Sequence, residues 1–245
     1  MVKIVAHRGW SGKAPENTIS AFKLAMTDPD IPYIELDIHL SKDGVPVVIH
    51  DHTLERTTNG RGLVKDYTLE QLRQMDAGSW FAPEFAGEQI PTLNEVLELI
   101  KGRCMLHAEL KVMGDEYEGI EAAVIASIMR LGMQDEVILS SFDHDSMKRA
   151  HELNPSIKTV LILLGKSTLI MEQLRHTGAT GLSIHYAFVT RPLVEEMTAH
   201  GIDLGLWTID EPDTLAAIIA QYPDIRITTN YPDRILSIIR DKVSI

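Results

Sequence analysis

The chain holds one cysteine, Cys104, in 245 residues. An internal disulfide is therefore excluded, and no Cys/His cluster offers the ligands of a structural zinc. Cys104 opens an apolar strand-like run, where packing is its expected role. Long hydrophobic runs are also missing. Val160-Leu161-Ile162-Leu163-Leu164 is among the longest, far short of the ~18 apolar residues of a membrane span. Positive charge is scarce, with 23 Lys and Arg against 35 Asp and Glu and a net charge of −12. A nucleic-acid partner, which needs a basic surface, is not expected. Nor is there a basic or amphipathic anchoring segment, so no stable membrane association is expected. The first apolar run lacks a Gly-rich fingerprint after it, which argues against a dinucleotide-binding sheet.

What is present is a soluble globular composition, 44 % hydrophobic and 24 % charged, at a length suited to one α/β barrel. The second half is regular. Apolar, β-branched runs begin near Val137, Lys158, Gly181, Leu204 and Ile225, at spacings of 21, 23, 23 and 21 residues. Helix-like segments lie between them: Asp145–Leu153 ahead of Pro155, Thr168–His176 ahead of Gly178, Thr190–His200 ahead of Gly201, and Glu211–Gln221 ahead of Pro223. In the first half, runs at Lys3–His7, Tyr33–Ile38 and Met105–Leu110 join helices over Thr18–Met26 and Leu93–Lys101, the latter opened by the capping-box pair Thr92 and Glu95. Eight strand-helix units predict a (β/α)8 TIM barrel spanning 1–245 as a single domain.

One run is left over. Pro46–Ile49 follows the second strand after only Ser41-Lys42-Asp43-Gly44, too few residues for a parallel crossover and suited to a hairpin. Folding back would return His50 to the neighbourhood of Asp37. Residues 52–90 then form an insertion, rich in Gly and Thr and containing Trp80-Phe81, expected to be irregular and to shape the catalytic face.

The chemistry-bearing groups sit at or near strand ends. Glu35 and Asp37, two apart on a strand, share a face, and Glu109 repeats the placement on another strand. Carboxylates pointing together into a barrel repel one another and lose hydration, a cost that a cation offsets. All-oxygen ligation favours one divalent cation, Mg²⁺ or Ca²⁺. His7 and His50 suit general acid–base work, and Arg8 and Lys111 suit phosphate oxygens. Glu16, Asn17, His185 and Trp207 take supporting positions, Trp207 against a substrate's carbon skeleton. Structural packing is expected of His39, His151 and His200.

The string His7-Arg8-Gly9, the following Glu16-Asn17-Thr18, the block from Tyr33 to Thr58 (YIELDIHLSKDGVPVVIHDHTLERTT) and Glu109-Leu110-Lys111 resemble the glycerophosphodiester phosphodiesterase family, from His7 to about Pro232. The resemblance implies a TIM barrel hydrolysing small glycerophosphodiesters to sn-glycerol 3-phosphate and an alcohol. It places His7 and His50 as the acid–base pair, Glu35, Asp37 and Glu109 on the metal, and Arg8 and Lys111 on phosphate. The absence of a leader before Lys3 makes the chain look like a cytoplasmic member. Asn230 departs from the family's usual Asp at that place, a change expected to touch a rim hydrogen bond only. Phospholipase D-type and phosphatidylinositol-cleaving barrels, and a non-catalytic glycerol-phosphate binder, are the alternatives. A binder has no need of two histidines.

Overall fold

A computed structural model describes residues 2–114 and 116–243. Eight parallel strands close into a barrel: β1 (Lys3–Ala6), β2 (Tyr33–Leu40), β4 (Met105–Leu110), β5 (Val137–Ser141), β6 (Lys158–Leu163), β7 (Gly181–His185), β8 (Asp203–Trp207) and β9 (Arg226–Thr229). Closure comes from β1, which pairs with β9 through Lys3–Ala6 and with β2 through Val5 and Ala6. The extra strand β3 (Pro46–Val48) runs antiparallel to β2, with Ile38 opposite Val48 and Leu40 opposite Pro46. This is the expected hairpin, and its Gly44 turns at φ 75°.

Strand alternation divides the residues cleanly. Ile34, Leu36 and Ile38 of β2 face outward into the main hydrophobic core, while Glu35 and Asp37 face inward. Around the barrel lie α1 (Ile19–Ala25), α3 (Leu93–Ile100), α4 (Ile120–Leu131), α5 (His144–Leu153), α6 (Ile170–Thr177), α7 (Arg191–Ala199), α8 (Pro212–Gln221) and α9 (Pro232–Val243). Thr92 and Glu95 form the capping box of α3, and Thr190 caps α7. Two expectations need correction at their ends. The helix expected over Thr168–His176 spans Ile170–Thr177 ahead of Gly178, and the strand expected to begin near Leu204 begins at Asp203.

Residues 52–90 are more ordered than expected. They contain two short 3₁₀ turns and helix α2 (Leu69–Leu72), which carries its own capping box of Thr68 and Gln71. Val47, Ile49, Leu54, Val64, Leu72, Ala77 and Ile90 form a second, smaller core beneath this segment. Val47 and Ile49 come from the hairpin arm that leads to His50, so burial of this cluster also fixes the position of His50. Among the described residues no helix is long and apolar enough to cross a membrane.

The barrel interior is unusually polar at its base. Arg226, 3 % exposed, crosses β8 to pair with Asp203, and burial lowers its guanidinium to about 10. The crossing needs Gly205, where an added Cβ would stand 2.6 Å from the Arg226 guanidinium. Gly205→Ala should therefore destabilise the fold by roughly 1–3 kcal/mol, the usual cost of overpacking. Urea unfolding checks it, and an unchanged midpoint would show that the arginine can move aside.

Candidate active site

The strands deliver the acidic groups first. One carboxylate oxygen from each of Glu35, Asp37 and Glu109 lies within 4.8 Å of the others, and all three side chains are buried. Asp37 and Glu109 are register partners on β2 and β4. The cations stand against them. Lys111 Nζ is 2.6 Å from Glu109 Oε1 and 3.0 Å from Asp37 Oδ1, and Arg8 Nε is 3.3 Å from Asp37 Oδ2. Neither contact to Asp37 has hydrogen-bond geometry, so Asp37 Oδ1 and Arg8 Nε are buried polar atoms without a hydrogen-bond partner.

This crowding sets the electrostatics. Burial, then repulsion from Asp37 and Glu109, pushes Glu35 well above the usual carboxylate range. Burial also raises Glu109, against the pull of Lys111. For Asp37, burial is outweighed by Lys111, Arg8 and the histidines, which hold it far below that range. Asp37 is thus the anion around which the cluster is arranged. Three carboxylates, one orphaned oxygen and an all-oxygen donor set fit a hard divalent cation.

The loop after β1 is bent to serve this cluster. Arg8 and Asn17 both take left-handed backbone, φ 56° and 58°, which is strained for non-glycine residues. The bend lets the Arg8 N–H donate to Glu35 Oε2 at 2.8 Å and lets Asn17 Nδ2 donate to Asp37 Oδ2 at 2.8 Å. Between them Gly9, at φ 80°, passes so close to α1 that a Cβ would sit 2.7 Å from the Ala21 backbone. Glu16 anchors Arg8 at 2.7 Å and also accepts from Arg56, which in turn holds Asp51. Glu16 and Asn17 are therefore holders of the site's charged groups. Among the described residues neither lines the cavity that Glu35 and Glu109 face.

Both expected histidines reach the cavity. Its volume is about 200 Å³, and its walls include His7, Arg8, Glu35, His50, Glu109, Lys111, Phe142 and Trp207. Burial, with Arg8 alongside, lowers His7 to about 4, and its Nε2 lies 3.9 Å from Glu35 Oε2. Burial also lowers His50, opposed by Asp37 and by Asp51, whose Oδ1 is 2.6 Å from His50 Nδ1. The hairpin fixes His50 through Ile49 N–H donating to the Asp37 carbonyl at 3.1 Å. Buried His39 completes the clamp: Tyr117 Oη lies 2.8 Å from its Nδ1, and its Nε2 lies 3.0 Å from the His50 carbonyl. That satisfied pair agrees with the structural role expected of His39.

Other positions differ from expectation. His185 does not line the cavity among the described residues. It packs edge-on against Trp207 at 5.3 Å and accepts from Ala187 N–H, so its place is behind the rim aromatic. The segment 52–90 contributes no wall to this cavity among the described residues and touches the site through Arg56. Asn230 is closer to the chemistry than a rim substitution. Its Oδ1 lies 2.7 Å from His7 Nδ1. His107, buried with Nε2 unpartnered, and Ser140, Ser183 and Thr228 also line the cavity and are not evident from sequence. Inward parity on strands is the signal that would have found them.

A sequence profile of the glycerophosphoryl diester phosphodiesterase family matches residues 7–234. A glycerophosphodiester phosphodiesterase of Caldanaerobacter subterraneus is 40 % identical over 238 residues, 97 % of each chain. A glycerophosphodiester phosphodiesterase of Bacillus subtilis is 35 % identical, over 94 % of this chain and 83 % of its own. Among solved structures, an Oleispira antarctica phosphodiesterase in complex with the product sn-glycerol-3-phosphate superposes with a TM-score of 0.91 at 34 % identity, covering 97 % of this chain and 96 % of its own. A glycerophosphodiester phosphodiesterase of Agrobacterium tumefaciens gives 0.83 at 31 % identity, over 97 % and 100 % of the two chains. With the profile spanning the barrel and its loops, the chain belongs to the glycerophosphoryl diester phosphodiesterase family of enzymes.

Proposed function

We propose that the protein hydrolyses glycerophosphodiesters to sn-glycerol 3-phosphate and an alcohol, using one divalent cation, Mg²⁺ or Ca²⁺, and His7 and His50 as the acid–base pair. The observation that carries this reading is the convergence of Glu35, Asp37 and Glu109 beside two cations and two histidines in one cavity. Glu35, Asp37 and Glu109 would hold the cation, which supplies polarisation of a phosphoryl oxygen and neutralises its charge. Arg8 and Lys111 bind the other phosphate oxygens, releasing their present grip on Glu16 and Glu109 in part. Phe142 and Trp207, edge-on at 5.5 Å beside this cavity, offer an apolar surface to the carbon skeleton. We place this activity in the cytoplasm, in keeping with the resemblance to bacterial relatives.

The surroundings of the two imidazoles support a division of labour. His7 is the more deeply enclosed and leans on a neutral amide, so it rests unprotonated and takes a proton at Nε2 from the attacking water, whose oxygen forms the new bond to phosphorus. His50 leans on the Asp51 carboxylate, which stabilises its charged form, so it protonates the departing alkoxide as the phosphorus–oxygen bond breaks. Opposite protonation states are required, and activity should follow a bell-shaped pH profile.

Glycerophosphocholine turnover tests the activity itself: hydrolysis that EDTA abolishes and added Mg²⁺ or Ca²⁺ restores is expected, and a full rate in excess chelator would remove the metal from the account. The histidine roles are separable with a p-nitrophenyl phosphodiester, whose leaving group needs no proton. His50→Ala should recover at least about tenfold on that substrate relative to the natural one, while His7→Ala should not. Equal losses of both variants on both substrates would contradict the division.

A further inference from the structure

The amide of Asn230 is read by its neighbours in only one way. Its Nδ2 faces Asp210 Oδ2 at 2.6 Å, and its Oδ1 faces His7 Nδ1 and Ser11 Oγ, each at 2.7 Å. Turning the amide over would set its oxygen against the Asp210 carboxylate, two acceptors in contact with no proton between them. Asp210 cannot yield, because its other oxygen already accepts from Asn230 N–H at 2.9 Å and from Thr229 Oγ1 at 3.0 Å. Its carbonyl accepts from Arg234 Nη1 at 2.5 Å, which ties the loop after β8 to α9. An amide oxygen can only accept, so the proton in the contact with His7 belongs to Nδ1. A neutral imidazole then carries its lone pair on Nε2, the atom that looks towards Glu35.

We propose that Asn230 and Asp210 are positioning residues that lock His7 in its Nδ1–H form and keep Nε2 free to accept a proton. Neither residue touches the carboxylate cluster, and Asp210 acts on His7 only through the Asn230 amide. The role of His7 as base rests on the function proposed above, whereas its tautomer does not. Asp210 sits behind the Asn230 amide and fixes the orientation of the ring through it.

The relay has a directional logic that substitutions can reverse. Asn230→Asp places a second carboxylate at the 2.6 Å contact with Asp210, and one of the two must move or take a proton. Asp210→Asn keeps an oxygen on the Asn230 and Thr229 donors, which turns an NH₂ group towards Asn230 Nδ2. Two donors then oppose each other, Asn230 flips, and its NH₂ faces His7 Nδ1, favouring the wrong tautomer. The double substitution Asn230→Asp/Asp210→Asn restores every pairing with the amide and carboxylate exchanged.

Nitrogen-15 NMR of the metal-free wild type reads the tautomer directly, and a protonated Nδ1 with a bare Nε2 on His7 is expected. In glycerophosphocholine turnover Asp210→Asn should lose at least about tenfold in kcat with KM within about twofold, and adding Asn230→Asp to it should regain most of that loss. A His7 protonated at Nε2 overturns the proposal, as does a folded double variant no better than Asp210→Asn, or a folded Asp210→Asn with wild-type kcat. Should the single variants fail to fold in a thermal scan, the wild-type tautomer decides. A wild type that turns over no glycerophosphodiester would defeat the functional reading and leave the NMR result standing as the test of the relay.

Discussion

The structure is organised around Asp37, a carboxylate 1 % exposed that stays far below its ordinary pKa while two other carboxylates crowd it. Burying one anion is costly, and gathering three is costlier. The surrounding elements answer that cost in turn. Lys111 comes from just past β4, Arg8 from the strained bend after β1, and Asn17 from the second left-handed residue of that bend. Lys111 and Arg8 favour the charged form of Asp37, while burial and mutual repulsion disfavour those of Glu35 and Glu109. A divalent cation among the three would relieve that repulsion.

A second ring of groups holds the first. Glu16 ties Arg8 to Arg56, Arg56 ties Asp51, and Asp51 faces His50. On the other side Asn230 and Asp210 stand behind His7. The two histidines are thus backed by different chemistry, a carboxylate for one and an amide for the other. The insertion contributes through this ring, with Arg56 as its reach into the site, while its own small core stiffens the hairpin beneath His50.

Much of this was legible in the residue order because strands have a period of two. Glu35 and Asp37 had to share a face, Glu109 had to match them on a neighbouring strand, and the short Ser41–Gly44 link allowed only a hairpin. What could not be read depends on barrel closure. Asn230 meets His7 only because β1 lies beside β9, 223 positions away along the chain. Arg226 fits only because Gly205 is its register partner on β8. Helix α4 lacks the usual written start, since it begins after a left-handed Gly119 with no side-chain cap. The contact of His185 with Trp207 likewise depends on the pairing of β7 with β8, which residue order does not display.

The central claim is that Glu35, Asp37 and Glu109 are held together for a cation and are strained without one. Calorimetric titration of Mg²⁺ and Ca²⁺ into the chelator-treated protein, alongside Glu35→Gln, tests it without reference to turnover. One strong site is expected in the wild type and its loss in the variant, with the metal-free variant melting at a higher temperature because a buried repulsion is gone. Absence of binding to the wild type, or an equally tight site in Glu35→Gln, would contradict the account.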